Sequence, residues 1–382
     1  MKPERVSKTG SFEEFLRPVA AYVPSDLISP SAFSDIDMVA RVLPETLAYN
    51  TFGFECRLGE ENPRADFLVL ARAYWGRESL VRLNRVSPLS DRLVDVPIWQ
   101  RVQEFSANWA DPDSPLHGVL DNVWLEFDVD GSTEGIPLPG VFFGLPSNGA
   151  EGLESKVFEQ AREENLETTA KALRLLSGTG LLPRVLDTMT GCFRALSPPE
   201  YVFQVGLMLS RGAEAVRLCI VTGTLERAVE YLDLVGWPGS GAALLDVLGP
   251  VARMVDRVCL AIDAGETVHP KVGLECYFDG NQQPKTEPRW LALLDHLVAN
   301  GLCIPEKRDA LLAYPGYADE NTLTVPWPEA PRKASRLLGG RSLSTLIRTL
   351  HHVKISYQPD QPPEAKAYLA ANHHWHTPAL PR

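Results

Sequence analysis

Six cysteines occur in 382 residues, and none forms a C-x-x-C pair: Cys56, Cys192, Cys219, Cys259, Cys276 and Cys303 are scattered, several within alternating apolar stretches. That spacing speaks against a disulfide framework and for a reduced, intracellular protein. Long apolar runs are also missing. None approaches the roughly 20 residues of a membrane-spanning helix, and the opening MKPERVSKTGSFEEF has no apolar signal core. The cytoplasm is the expected location. Basic residues are in deficit, with 37 Lys plus Arg against 49 Asp plus Glu and a net charge of −12. The chain lacks the basic patch that phosphate backbones require and the polybasic anchor that membranes attract, so neither is an expected partner. No G-x-x-x-x-G-K, G-x-G-x-x-G, H-E-x-x-H or D-D-x-x-D pattern occurs, and TGTLER (222–227) reads as a helix cap. No cofactor and no metal are expected.

What is present is an ordinary globular composition, 45% hydrophobic and 23% charged, arranged as a repeat. Strand patterns come in pairs: FGFECRLG (52–59) with ADFLVLAR (65–72), VWLEFDVD (123–130) with GVFFGL (140–145), YVFQVGLML (201–209) with AVRLCIVTG (215–223), RVCLAIDAG (257–265) with KVGLECYFD (271–279), and HVKISYQP (352–359) with EAKAYLAAN (364–372). Short Gly-, Pro-, Asn- and Asp-bearing connections mark each pair as an antiparallel hairpin. Helical patterns lie between the hairpins, at 34–47, 96–110, 154–178, 181–196, 224–237, 241–256, 287–301 and 342–352. The histidines His351 and His352 are expected to end the last helix. The HHWH at 373–376 is expected in a solvated tail.

Helix, strand, strand, helix repeated about five times is too widely and unevenly spaced for a solenoid. Strict alternation gives each strand one apolar and one mixed-polar face. Interleaved helices cover only the apolar face if the sheet closes on itself, and closure removes exposed edges. The expected fold class is α+β: a ten-stranded antiparallel β-barrel of five αββα repeats with the helices outside. Two separate α+β layers with wet outer faces are the alternative. A single barrel domain would span 34–372, between an N-terminal extension (1–33) and a C-terminal tail (373–382).

In that register the lumen receives Gly53, Glu55 and Arg57, then Trp124, Glu126, Asp128 and Asp130. The third hairpin adds Gln204, Gly206, Met208, Arg217, Cys219 and Val221. The fourth adds Cys259, Ala261, Asp263, Gly273, Glu275 and Tyr277, and the fifth Lys354, Ser356, Lys366 and Tyr368. Carboxylates crowded in a partly dry cavity suit acid–base work. Ion pairs that merely satisfy one another are the plain alternative.

The repeat order over residues 34–372 resembles the aromatic prenyltransferases of the ABBA barrel type, especially indole prenyltransferases related to dimethylallyltryptophan synthase. TFGFECRLG is similar to that family's first strand, which implies that Glu55 accepts a hydrogen bond from an indole N–H. VRLCIVTGTLERAVEYLDLVG (216–236) is similar to the third unit, HPKVGLECYFDG (269–280) to the fourth with Glu275 and Tyr277, and EAKAYLAAN to the fifth with Tyr368. The family's R-x-K-x-Y, part of the shield around an allylic diphosphate, is here Arg217, Cys219 and Val221, and a K-x-Y has become GVFFGL. Arg217, Lys354, Lys366, Tyr277 and Tyr368 remain to rebuild that shield, while Glu126, Asp128 and Glu275 add negative charge.

The resemblance implies a metal-independent, prenyltransferase-like enzyme of specialised metabolism. Its partners would be a small aromatic or peptide substrate and an allylic diphosphate, bound by a monomer or homodimer. Glu55, Glu126, Asp128 and Glu275 are the expected catalytic residues; Trp124, Arg217, Tyr277, Lys354, Lys366 and Tyr368 are expected to bind substrate. One alternative is the same barrel turned to cofactor-independent epimerisation or isomerisation of a peptide, with Cys219 or Cys259 contributing. A non-catalytic binding barrel is the other.

Overall fold

A computed structural model describes residues 10–377, apart from 75, 82, 84–95, 130–134, 148–154, 179, 213, 323–324 and 340. Eleven strands form one antiparallel sheet: β1 (Thr51–Arg57), β2 (Ala65–Arg72), β3 (Asn122–Phe127), β4 (Pro139–Gly144), β5 (Tyr201–Met208), β6 (Val216–Gly223), β7 (Arg257–Ala264), β8 (Val268–Tyr277), β9 (Gly316–Asp319), β10 (Leu343–Tyr357) and β11 (Glu364–His376). Neighbours follow chain order from β1 to β8, then β10 and β11. β11 returns to β1, so ten strands close into a barrel, and β9 lies outside the ring against the first half of β10. Ten strands enclose more room than the eight-stranded case that side chains just fill.

The helices run in chain order: α1 (Glu13–Ala20), α2 (Pro30–Ala40), α3 (Arg77–Val81), α4 (Pro97–Ala110), α5 (Ser155–Ser177), α6 (Pro183–Arg194), α7 (Leu225–Leu234), α8 (Gly241–Ala252), α9 (Arg289–Ala299), α10 (Pro305–Ala313) and α11 (Glu329–Leu337). Side-chain caps start several of them, with Ser29, Thr224 and Ser240 each accepting an amide N–H of the first turn. The core is the shell between helices and the outward strand faces. Phe12 meets Phe52 and Phe67 edge-on there, and Trp99 of α4 stacks on Phe127. Phe12, Phe15, Leu16 and Val19 are all buried, so α1 seals one side of the barrel. No described helix is long and apolar enough to cross a membrane.

Two expectations are corrected. Residues 342–352 are not helical: β10 starts at Leu343, and pairing with β11 and β9 holds this half extended. HHWH is not a free tail, because β11 runs through His376 and His373 is buried, its Nε2 2.9 Å from Ser344 Oγ. His374, Trp375 and His376 are exposed. Asp130 lies outside the described residues.

Candidate active site

Alternation carries one face of every barrel strand into the lumen, and the expected register holds. Among the described residues, two cavities open within it. The larger, ≈ 360 Å³, is walled by rings: Trp124 opposite Phe142 across β3 and β4, then Phe203, Tyr277, His352 and Tyr368. The smaller, ≈ 200 Å³, is polar, with Asp66, Asp128, Asp263, Arg211, Lys271, Ser356 and Lys366 in its wall. Glu55, Leu68, Glu126, Arg217, Lys354 and Tyr368 line both and form a waist between them. All ten residues expected at the site therefore line the lumen, although Asp128 lies just beyond the end of β3.

Register explains the electrostatics. Lys354 stands opposite Glu275 on β8 and opposite Lys366 on β11, while Glu55 stands opposite Tyr368. The two lysines face one another but turn to separate carboxylates. Lys354 donates to Glu275 Oε1 at 3.1 Å, and the Tyr277 hydroxyl donates to Oε2 at 2.7 Å. Lys366 and the Tyr368 hydroxyl make the matching pair of hydrogen bonds to Glu55. Gly273 lets Lys354 reach across, since a Cβ there would fall 2.5 Å from Lys354 Cε. Burial alone would raise both carboxyls. The lysine charges and the donated hydrogen bonds overcome it, holding Glu55 and Glu275 at about 2.

The other lumenal cations are paired as well. Arg217 grips Asp263 with two bonds of 2.8 and 2.7 Å, and Arg211 grips Asp128 at 3.0 and 2.6 Å. Arg57 reaches Asp66 at 2.9 Å. The two-bond grips of Arg217 on Asp263 and of Arg211 on Asp128 add geometric specificity to the charge attraction. Burial and the Glu55 charge lift Asp66 to about 6.

Glu126 is the exception. It hydrogen-bonds to no described residue, and it sits at the waist between Leu68 and Gly140 of the neighbouring strands. Burial, with Glu55 and Glu275 nearby, outweighs Lys354 and Arg217 and raises its pKa to about 8. The shift favours the protonated acid at neutral pH, against the negative charge expected of it.

The thiols proposed for acid–base work do not suit it. Burial pushes Cys259 up to about 12 and Cys219 well above its ordinary range, so both remain protonated. Among the described residues no group of three or more His, Cys, Asp or Glu could hold a metal ion.

The expectation for His352 placed it at a helix end, and the structure instead puts it in the lumen. Its ring lies between Tyr368, at 4.1 Å and 13°, and Tyr277, at 4.7 Å and 27°. Burial, against the pull of Glu275, lowers its pKa to about 3, so the imidazole is neutral. The signal that could have found it is the unbroken alternation from His352 through Lys354 to Ser356.

No protein-family model and no curated protein matches the sequence. Solved structures do match. A 6-dimethylallyl tryptophan synthase aligns with a TM-score of 0.52 at 10% identity, over 94% of both chains. AnaPT from Neosartorya fischeri aligns with a TM-score of 0.50 at 13% identity, over 95% of this chain and 91% of that one. With its closed ring of ten antiparallel strands and its outer helices, the chain has the fold of the ABBA-type prenyltransferase barrels.

Proposed function

We propose that the protein is an enzyme that transfers an allylic group to an aromatic substrate inside the barrel. The carrying observation is the division of the lumen into a ring-walled chamber and a polar chamber that meet at Glu126. The aromatic acceptor would lie against Trp124 and Phe142, its N–H or O–H directed to Glu55. The diphosphate would lie among Arg211, Arg217, Lys354 and Lys366. Neutral Glu126 would donate a hydrogen bond to the departing oxygen, a use that an ionised carboxylate could not serve. Tyr368, stacked on His352 by one face, would present its other face to the allylic cation, which the ring attracts through its quadrupole. Glu275 would supply the compensating negative charge. The dimethylallyl tryptophan synthase with this fold supports the reading, though fold alone does not fix activity.

A second reading rests on one observation: every cation lining the polar chamber already has a carboxylate partner. A diphosphate would have to displace these carboxylates, at about 4 kcal/mol per pair near 4 Å and an effective dielectric of 20. A lumen that keeps its pairs would instead run proton transfer on a peptide or cationic substrate. One experiment separates the two. The protein is incubated with dimethylallyl or geranyl diphosphate plus tryptophan, indole or tyrosyl peptides, in deuterated water, and products are weighed. A prenyl mass gain supports transfer. Deuterium incorporation into a peptide without that gain supports the second reading and ends the first.

A further inference from the structure

The register of β10 slips between Leu350 and His352, so that Leu350 faces Leu369 and His352 faces Tyr368 with His351 left over. Such a bulge re-aims side chains, and bulges gather near active sites. In a regular strand His351 and His352 would point to opposite faces. Here both line the larger chamber, and their Nδ1 atoms are 2.7 Å apart. The bulge is held in place. The Gln283 side chain accepts from Leu350 N at 2.9 Å and donates to Leu350 O at 3.2 Å, replacing the missing ladder partner.

The outer ring, His351, is exposed. The inner ring, His352, is buried, clamped between two tyrosines, and its Nε2 has no hydrogen-bond partner. An orphaned buried nitrogen is costly, and in a lumen it marks where a ligand's polar atom is awaited. A 2.7 Å contact between two Nδ1 atoms requires one to donate and the other to accept, so the rings hold opposite tautomers.

We propose that His351 and His352 form a proton relay from solvent to the larger chamber, with His352 Nε2 as its inner end. In the resting state His352 carries its proton on Nδ1 and His351 on Nε2. A proton leaving the substrate enters His352 Nε2, the Nδ1 proton passes to His351 Nδ1, and His351 releases its Nε2 proton to solvent. Both rings finish neutral with tautomers exchanged, and one proton has left the lumen. The relay deepens the proposed transfer, which must expel the ring proton of the aromatic acceptor; Glu126 is already protonated and cannot take it.

The surroundings favour neutral rings. Desolvation of the ring nitrogens, which face each other and the chamber, lowers both pKa values against Glu275, with Arg257 beside His351 and Lys354 beside His352 adding to the effect. The facing groups are Glu275 and Tyr277 from β8, Arg257 from β7, Glu55 from β1, Tyr368 from β11, and Lys354 on the same strand.

The test begins without substrate. Nitrogen NMR of the histidine-labelled protein at pH 7 is expected to show two neutral rings of opposite tautomer, coupled through a hydrogen bond that disappears in His351→Phe. A charged ring, or two rings of the same tautomer, overturns the relay. In single turnovers with dimethylallyl diphosphate and tryptophan, His351→Phe should slow transfer by roughly 10²-fold, the scale of proton-transfer catalysis, and leave tryptophan binding unchanged. An unchanged rate also overturns it. If the unaltered protein forms no product, the transfer reading falls while the NMR still judges the relay.

Discussion

Replacing Glu126 by glutamine isolates the one lumenal carboxyl that no described partner satisfies. The folded pKa of about 8 stands above the unfolded value of 4.5, so the folded state holds this proton more tightly. Stability from this group is therefore fully present below pH 4.5 and is lost as pH rises toward 8. At about 1.4 kcal/mol per pH unit, the loss between pH 5 and pH 8 amounts to about 3 kcal/mol. The amide introduced by Glu126→Gln keeps the shape and the hydrogen-bonding capacity but has no proton to lose. The assay is urea unfolding of both proteins at pH 5 and pH 8. The substituted protein should gain about 3 kcal/mol on the original over that interval. His352 titrates in the opposite direction at the acid end, but it is common to both proteins and cancels in the difference. Parallel stability curves would show that Glu126 ionises freely and would remove the argument for a neutral acid at the waist. If the proposed transfer is found, its rate should fall above pH 8 in the original protein, and Glu126→Gln should lower it throughout.

Glu55 and Glu275, at about 2 in the folded chain against 4.5 unfolded, add stability above pH 4.5 that drains away as pH falls toward 2. Acid unfolding followed by circular dichroism should be shallower in the double variant Glu55→Gln, Glu275→Gln; an identical acid limb would refute the pairing argument. Lys354→Met strands Glu275 as a buried charge and should cost roughly 3–5 kcal/mol, most of it recovered by adding Glu275→Gln. Calorimetry of the single and double variants decides this, and additive losses would contradict it. Gly206→Ala would place a Cβ 2.2 Å from the Phe142 ring that folds over it. A loss of about 1–3 kcal/mol is expected, relieved by Phe142→Leu in the same chain; thermal melts that show no relief would mean the ring has another place to go.

The barrel was legible because strand alternation survives in all five hairpins, and a period of two fixes the inward face once one face is apolar. Glu55, Glu126, Glu275, Lys354 and Lys366 followed from that rule alone. The stretch SLSTLIRTLHH misled because Leu343, Leu346, Ile347 and Leu350 fall at i, i+3, i+4 and i+7, the spacing of a helix stripe. Pairing with β11 and β9 overrides that local periodicity, and no local signal announces partners so distant. His351 was hidden for a related reason: a bulge adds one residue to the count, and only the paired strand reveals it. The neutrality of Glu126 was equally out of reach, because it depends on which carboxylates found lysines and which did not.

The seam between β1 and β11 has a consequence for the order of events in a cell. Glu55 meets Lys366 from 311 positions away along the chain, so this contact can form only after the final hairpin has been made. Until then the first hairpin presents a carboxylate with no cation and a sheet edge with no neighbour. Contacts this distant in sequence close slowly, because the entropy of the loop is lost before the contact repays it. The closed lumen is therefore the last feature to appear during synthesis. A ribosome stalled before residue 364 would hold nine of the ten staves and no closed interior.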